Sequence, residues 1–433
     1  MSAHFVLRGL VAHCLDESPT NALQPIVEVF EDGAIEVADG RIISVGPMPS
    51  RVADGAQLID ARGHLLVPGF FDVHTHYPQT GMIGAWGEQL LDWLAQYTFP
   101  TEARFSDPEY AGRVADIFIR QLLANGTTTA MVFGTVHPES VDAVMRSANA
   151  ASMQLIAGKV MMDRNAPLEL CDSPLSSYVN SRALIERWHG IDRLHYAVTP
   201  RFAPTSSGAQ LEQAERLLKE YPGVYLQTHV AESSDEVAWV RTLFPEARSY
   251  LDVYARNNLL TAQAVLAHCL HLDDTDLEVF AASGAAMAFC PSSNLFLGSG
   301  LLDVSRADEH RIPIGIGTDV GAGTSFSVLR TLGDAYKVAQ LQGQVLTPAR
   351  MLHMATLGGA HALGFAARSG NFATGKDADI VVLDPGATEL TALRLEGASD
   401  PLEMLFALSM LSDERHVRAT FAHGSQVYGL PIG

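Results

Sequence analysis

Histidines and carboxylates stand where several short apolar runs of the sequence end. His74 and His76 close the run 68–76, while His229, His268 and Asp319 close three later runs. Because alternate residues of a strand face the same way, His74 and His76 would point to one side. Imidazole and carboxylate together suit Zn²⁺ or Fe²⁺ better than Ca²⁺ or Mg²⁺. The pattern predicts a metal site that activates water for hydrolysis.

A proton carrier should lie beside such a site. Glu232 follows His229 by three residues and can lean over the site from the end of the same run. A single His-x-His pair is weak evidence, but four histidines and an aspartate at the ends of separate runs are a joint pattern. We interpret the remaining candidates as ordinary core residues, with Cys269 and Cys290 packing as small apolar side chains. These core histidines are His137, His195, His271 and His353.

The middle of the chain alternates apolar runs with amphipathic stretches. The eight candidate strands are 68–76, 126–135, 155–163, 194–202, 224–232, 264–272, 284–294 and 312–321. Helical spacing of apolar residues separates them, for example over 110–122 and 211–218. This alternation predicts a (β/α)₈ barrel, with its chemistry at the carboxyl ends of the strands. An open doubly wound sheet is the competing layout, but no full Gly-x-Gly-x-x-Gly follows the first strand.

Both ends of the chain are rich in short strand patterns. Residues 34–37 and 41–45 flank the hairpin signal Ala38-Asp39-Gly40, and the runs 379–384, 417–422 and 426–428 lie near the other end. We therefore predict an α/β protein whose barrel carries a small β-sandwich domain formed by both chain ends. The expected boundaries are 1–66 and 371–433 for the small domain and 67–370 for the barrel.

Composition excludes several classes of function. The 433 residues carry a net charge of −20, which repels phosphate backbones and anionic lipids, so we expect neither nucleic acid nor membrane as a partner. Four cysteines without a Cys-x-x-Cys pair form no disulfide framework, which fits a reducing compartment. The beginning of the sequence lacks a signal-peptide pattern. We expect a soluble protein in the cytoplasm.

Three motifs resemble those of the amidohydrolase superfamily, which comprises metal-dependent hydrolases on (β/α)₈ barrels. They are Pro-Gly-Phe-Phe-Asp-Val-His-Thr-His (68–76), Gly-Thr-Asp-Val (317–320) and the segment 370–384 that leads back to the small domain. Binuclear members carry a bridging lysine at the end of strand four, or on strand three. Strand four here ends Val-Thr-Pro-Arg-Phe (198–202), and Lys159 lies in the middle of strand three. The mononuclear aminohydrolase branch is the better match.

Longer stretches resemble the guanine-deaminating members of that branch, among them 74–80, 84–94, 97–102, 199–205, 289–298 and 317–325. The resemblance implies one divalent metal, Zn²⁺ or alternatively Fe²⁺, held by His74, His76, His229 and Asp319. His268 would be a further ligand or would hydrogen-bond the metal-bound water. Glu232, Asp319 and His268 would be catalytic. The residues implied to bind the purine base are Gln79, Arg201, Phe202, His229 and Glu232.

The implied reaction is hydrolytic deamination of guanine at C2, giving xanthine and ammonia, by a homodimer. Arg201 can only donate hydrogen bonds, so it favours the O6 acceptor of guanine over the amine of adenine. The long loop 77–102 is expected to serve as a lid or subunit contact. Two alternatives remain open. One is a related aminohydrolase for 8-oxoguanine, cytosine, a triazine or a pterin, and the other is a barrel that serves as a non-catalytic scaffold.

Overall fold

The computed structural model describes residues 4–16, 24–87 and 89–429. Within them the strands are β1 His4–Cys14, β2 Val27–Ala38, β3 Arg41–Pro47, β4 Gln57–Pro68, β5 Phe70–His76, β6 Thr127–Phe133, β7 Gln154–Gly158, β8 Val160–Met161, β9 Leu194–Pro200, β10 Tyr225–Val230, β11 Ala264–His268, β12 Ala286–Phe289, β13 Ile314–Ile316, β14 Ile380–Leu383, β15 Val417–Ala422 and β16 Ser425–Gly429.

The helices of the same residues are α1 Leu90–Trp93, α2 Phe99–Ala103, α3 Pro108–Ala124, α4 Pro138–Ala150, α5 Pro174–Trp188, α6 Gly208–Glu220, α7 Ser234–Leu243, α8 Tyr250–Arg256, α9 Asp274–Ser283, α10 Pro291–Phe296, α11 Val304–Glu309, α12 Val328–Leu341, α13 Pro348–Ala355, α14 Leu357–Ala362, α15 Glu389–Arg394 and α16 Pro401–Leu411. No helix in the described part of the chain combines the length and apolar character needed to cross a membrane.

The middle of the chain forms a parallel barrel. Its strands follow the order β13-β12-β11-β10-β9-β7-β6-β5, and the short β8 pairs with β9. Hydrogen bonds just beyond β13 join the last barrel strand to the first: Asp319 N donates to His74 O at 2.9 Å, and His76 N donates to Val320 O at 3.0 Å. Each of the eight predicted runs contains a barrel strand, so the predicted fold class is confirmed.

Local sequence explains why these elements form. Every residue of β5 and β6 is buried, because the side chains of a barrel strand face either the filled barrel interior or the surrounding helices. Helix α3 begins at an Asp107 cap, whose side chain accepts from Glu109 N at 2.9 Å, with Pro108 at its first position. It ends before Gly126, which has a φ of 80° that suits glycine.

The two chain ends share a second sheet with the strand order β16-β15-β14-β4-β1-β2-β3. Asp39 and Gly40 have φ values of 52° and 75°, which a tight hairpin between β2 and β3 requires. The segment before β14 bonds back to this hairpin, with Ala378 N donating to Gly40 O at 2.9 Å. Strands from both ends therefore enclose one apolar core, which includes Phe5, Ile35 and Phe421.

The segment after β5, expected to be a long loop, is largely helical. It contains a 3₁₀ turn at Tyr77–Met82, α1, a π-helical turn at Leu94–Thr98 and α2. Apolar side chains hold this segment over the barrel mouth, where Met82 and Trp93 pack with Phe202 and Leu297. We call this part of the chain, residues 77–87 and 89–103, the mouth segment.

Candidate active site

Three imidazoles and one carboxylate meet at the carboxyl ends of the barrel strands. His74 Nε2 lies 3.1 Å and His76 Nε2 3.2 Å from Asp319 Oδ1. His76 Nε2 and His229 Nε2 face each other at 3.1 Å. All four side chains are buried, and their ligand atoms lie within 4.8 Å of one another. The residues predicted to hold a metal therefore converge.

The protonation of this cluster fits a cation. Burial lowers the pKa of His76 to about 4 and the pKa of His229 well below its ordinary value. His229 Nδ1 lies 2.6 Å from Arg201 O, so the ring donates there and its Nε2 keeps a lone pair. Burial opposes ionisation of Asp319, but His74, His76 and His268 hold its pKa well below the ordinary range. The Nε2 lone pair of His229, the neutral imidazole of His76 and the buried Asp319 carboxylate match the donor set of a zinc-like ion.

Backbone turns at the strand ends aim several of these side chains. Ala231, His268, Cys269 and Asp319 all have positive φ values, between 49° and 73°. Residues other than glycine adopt this region at a cost, and such strain collects at functional sites. Behind Asp319, the buried Asp72 accepts a hydrogen bond from Thr318 N at 2.9 Å, which ties the strand-eight end to β5.

His268 stands apart from the cluster of four. Its Nε2 lies 3.4 Å from Glu232 Oε2 and 3.9 Å from Asp319 Oδ2. The Asn294 amide donates to His268 Nδ1 at 2.9 Å, so the neutral ring carries its proton on Nε2. This geometry favours a hydrogen-bonding role over ligation. Cys290 lies near the same atoms, but burial raises the pKa of its thiol well above the ordinary value.

Glu232 is buried and supported from two sides. Ser299 Oγ donates to Glu232 Oε1 at 3.1 Å, and the backbone N–H of Glu232 donates to Glu236 Oε2 at 2.8 Å. Burial raises the pKa of Glu232 well above its ordinary value, and the neighbouring charges of Asp319 and Glu236 add to this. The site therefore favours a protonated Glu232 beside an ionised Asp319, an arrangement typical of acid–base pairs.

The cluster opens into a cavity beneath the mouth segment, lined by both polar and apolar side chains. Gln79, Arg201 and Phe202, the residues expected to bind a base, all line it. Arg201 Nη1 donates to Glu102 Oε2 at 2.6 Å, and Gln79 Nε2 donates to Glu102 Oε1 at 3.2 Å. The remaining wall is apolar: Leu90, Trp93, Leu94, Leu297 and Ala322.

Other candidates from the sequence lie elsewhere. The buried Lys159 amine pairs with Asp172 and donates to Val160 O at 2.9 Å, so it is engaged away from the cluster. Neither metal-competent group found among the described residues includes any of the four histidines interpreted as core residues. Burial lowers the pKa of His195 to about 4 and that of His353 to about 3, as expected for neutral packed rings.

Sequence reasoning missed Glu102, Glu236, Asn294 and Ser299. Glu102 and Asn294 fall inside stretches that carry the resemblance, 97–102 and 289–298, but no spacing rule gave them a role. Glu236 had a visible signal, because Ser233 and Glu236 form a capping box at the start of α7. That signal predicts the helix start and not the contact with Glu232.

Comparison with known proteins places the chain among relatives of similar length. The amidohydrolase family model matches residues 65–427. The guanine deaminase of Escherichia coli K12 is 46% identical over 99% of both chains, and its solved structure superposes with a TM-score of 0.95 over 98% of this chain and 99% of that one. The probable guanine deaminase of Deinococcus radiodurans is 40% identical over 94% of this chain and 95% of its own.

A further solved structure, the guanine deaminase of C. acetobutylicum with guanine bound in its active site, is 27% identical with a TM-score of 0.89, covering 98% of this chain and all of that one. The fold, the chemistry of the site and the similarity along the full chain thus indicate the same family. The chain belongs to the amidohydrolase family and groups within it with the guanine deaminases.

Proposed function

We propose that this protein hydrolyses guanine at C2 to give xanthine and ammonia. The observation that carries the proposal is that His76, His229 and Asp319 of the four-residue cluster line the same cavity as Arg201 and Gln79. The similarity to guanine deaminases over the whole chain supports the same substrate. A non-catalytic scaffold would have no need to keep such a donor set, whose burial is costly without a ligand.

His74, His76, His229 and Asp319 would hold one divalent cation, with Zn²⁺ preferred to Fe²⁺ for this donor set. When bound, the cation supplies Lewis acidity that lowers the pKa of water from 15.7 toward 7. The side chains then have to hold the base and move protons. His268, with its proton on Nε2, serves as a hydrogen-bond donor toward the reacting water.

Two carboxylates divide the proton transfers. Asp319, whose pKa is held low, accepts the proton of the attacking water. Glu232, whose pKa is raised, donates a proton to N3 of the ring, which reduces the aromatic resistance to attack at C2. Asp319 then gives its proton to the amine as the C2–N bond breaks, the C2 hydroxyl returns a proton to Glu232, and neutral ammonia departs. Each positioned transfer contributes roughly 10²–10⁴-fold to the rate.

Arg201, Gln79 and Phe202 select the base. The Arg201 guanidinium has only donors, so it pairs with O6 of guanine and opposes the amine that adenine carries there. Gln79 offers both a donor and an acceptor to a mixed edge of the ring. The buried Phe202, which meets Trp239 edge-on at 6.4 Å between ring centroids, presents a stacking face. A site built on such buried polar contacts rejects the wrong base strongly.

We also propose a cytoplasmic homodimer, as family resemblance implies. Size-exclusion chromatography with light scattering is expected to give twice the mass of the chain. A monomer at micromolar concentration would contradict this part of the proposal.

The function is tested by ammonia release from guanine, adenine and cytosine, with and without a chelator. We expect guanine to be turned over fastest, and chelation to abolish turnover and lower the melting temperature, because the bound ion stabilises the folded state. Adding Zn²⁺ or Fe²⁺ should restore both the turnover and the melting temperature. The ion that restores the higher turnover is identified as the metal. Faster turnover of another base would displace guanine, and activity that survives complete metal removal would contradict the metal site.

A further inference from the structure

Glu102 is a fully buried carboxylate that joins the two polar residues of the cavity wall. It lies in α2 of the mouth segment and has 0% exposure. Its Oε2 accepts from Arg201 Nη1 at 2.6 Å, and its Oε1 accepts from Gln79 Nε2 at 3.2 Å. Glu102 itself lies behind the cavity wall, since the cavity is lined by Gln79 and Arg201.

The Gln79 amide is fixed at both of its ends. Gly321 N donates to Gln79 Oε1 at 3.2 Å, while Gln79 Nε2 is held by Glu102. An amide can exchange its oxygen and nitrogen by rotation, but here rotation would set nitrogen against the Gly321 N–H and oxygen against a carboxylate. Gly321 also approaches closely, because a Cβ added to it would lie 2.7 Å from Gln79 O. The amide therefore has one orientation.

We propose that Glu102 is a positioning residue that sets base specificity, by fixing which donors and acceptors Arg201 and Gln79 present to the six-position edge of the purine. The inference rests on the proposed function and deepens it. Glu102 touches no substrate and acts only through its two partners. The alternative, a buried ion pair that merely stabilises the fold, gives Glu102 no effect on the choice between bases.

The substitution Glu102→Gln separates these two roles. An amide at this place can still accept from Arg201 with its oxygen, but its nitrogen then faces the Gln79 nitrogen, donor against donor. Gln79 must rotate, and its contact with Gly321 N is lost. The wall then presents a different hydrogen-bond pattern, although the volume of the side chain is nearly unchanged.

The readout is the ratio of kcat/KM for guanine to that for 2-aminopurine, which keeps the 2-amino group and has no oxygen at C6. We expect Glu102→Gln to lower this ratio by about tenfold or more, because only guanine loses a contact at the six-position. The loss should fall mainly on KM, since the contacts form in the ground state as well. Metal content should match that of the wild type.

Glu109→Gln, the same substitution at an exposed position of α3, is the matched control and should leave the ratio unchanged. Glu102→Asp keeps a negative charge beside Arg201 but is shorter, so it can be used if Glu102→Gln fails to fold; we expect it to lower the ratio as well. Equal losses for both bases, or an unchanged ratio in the folded variants, would overturn the inference. Wild-type enzyme that prefers 2-aminopurine would instead overturn the proposed function.

Discussion

Glu232 has the contacts of a group that holds and releases a proton. One carboxylate oxygen accepts from Ser299 Oγ at 3.1 Å, and the other lies 3.4 Å from His268 Nε2. Burial and the nearby charge of Asp319 raise its pKa well above the ordinary value. Burial and the neighbouring charges therefore favour a proton on Glu232, while the Ser299 hydroxyl acts in the opposite direction and helps the carboxylate to release it.

We expect Glu232→Gln to keep its fold and its metal and to lose roughly 10²–10⁴-fold in kcat, because the amide cannot donate and recover a proton. Metal analysis together with steady-state kinetics checks this. Ser299→Ala removes only the supporting hydroxyl and should cost much less. A near-normal rate for Glu232→Gln would remove the proposed proton carrier.

The residues found from sequence and those missed differ in one physical respect. His74, His76, His229 and Asp319 lie at or just beyond the carboxyl ends of parallel strands, and strand periodicity together with barrel topology brings such ends together. Glu102, Asn294 and Ser299 lie on helices and connections instead. Their positions depend on how those segments pack over the barrel, and no local pattern gives that packing. The metal cluster could therefore be predicted, but its supporting residues could not.

Among the elements, the turn after β13 is the most tightly constrained near the site. Gly323 N donates to Asp319 O at 2.6 Å, which closes the turn directly on the candidate ligand. A Cβ added to Gly323 would lie 1.7 Å from Thr318 O and 3.0 Å from Asp319 O. Only glycine allows this turn to keep its backbone in place.

We expect Gly323→Ala to displace the turn and to lower both metal content and activity. The loss of activity should be seen at a temperature where the variant's melting curve shows that it is still folded. Gly112→Ala is the matched control, since nothing lies within 4 Å of a Cβ there and the residue is inside α3. Alanine in a helix should stabilise the protein by up to about 1 kcal/mol. A fully loaded, active Gly323→Ala enzyme would show that the turn tolerates movement.

The ends of a helix such as α3 can be predicted from the sequence, whereas the helical turns of the mouth segment cannot. The cap at Asp107 and the Gly126 that follows α3 could be read directly from the sequence, because capping is a local effect. The mouth segment has no long apolar period, and its short helical turns are stabilised by packing of Met82 and Trp93 against the cavity wall. Tertiary contacts made those turns helical where sequence indicated a loop.

In the whole molecule, buried charges connect the barrel to the sheet formed by the chain ends. Arg193, just before β9, pairs with Asp379 at 2.5 Å and lies 3.6 Å from Asp377. Arg41 of β3 reaches Asp377 at 2.6 Å. Burial opposes ionisation of Asp377, but His423 and the surrounding arginines hold its pKa below the ordinary value. The carboxylate thus favours folding only while it is ionised.

Folding lowers the pKa of Asp377 below the ordinary carboxyl value. The ionised Asp377 therefore stabilises the folded state fully at a pH above that ordinary value, and this stabilisation is lost as the pH falls through the pKa of Asp377 in the folded protein. We expect Asp377→Asn to cost about 1–3 kcal/mol near neutral pH, since Arg41 and Arg193 lose a carboxylate neighbour while Arg193 keeps its shorter pair with Asp379. Differential scanning calorimetry at pH 7 and pH 3 checks this, because the loss occurs below the ordinary carboxyl pKa. The gap between wild type and variant should narrow at the lower pH; a gap that widens would contradict the assignment.

The seam between β5 and the turn after β13 joins residues that are 245 positions apart. During translation, His74, His76 and His229 leave the ribosome long before Asp319. Strand β4 is also made long before β14, the strand with which it pairs. Newly made edges of β4 and β5 therefore stay unpaired through most of translation, when other chains could add to them. Synthesis of the last third of the protein decides whether the first third is shielded, and a truncated product would be both inactive and prone to aggregate.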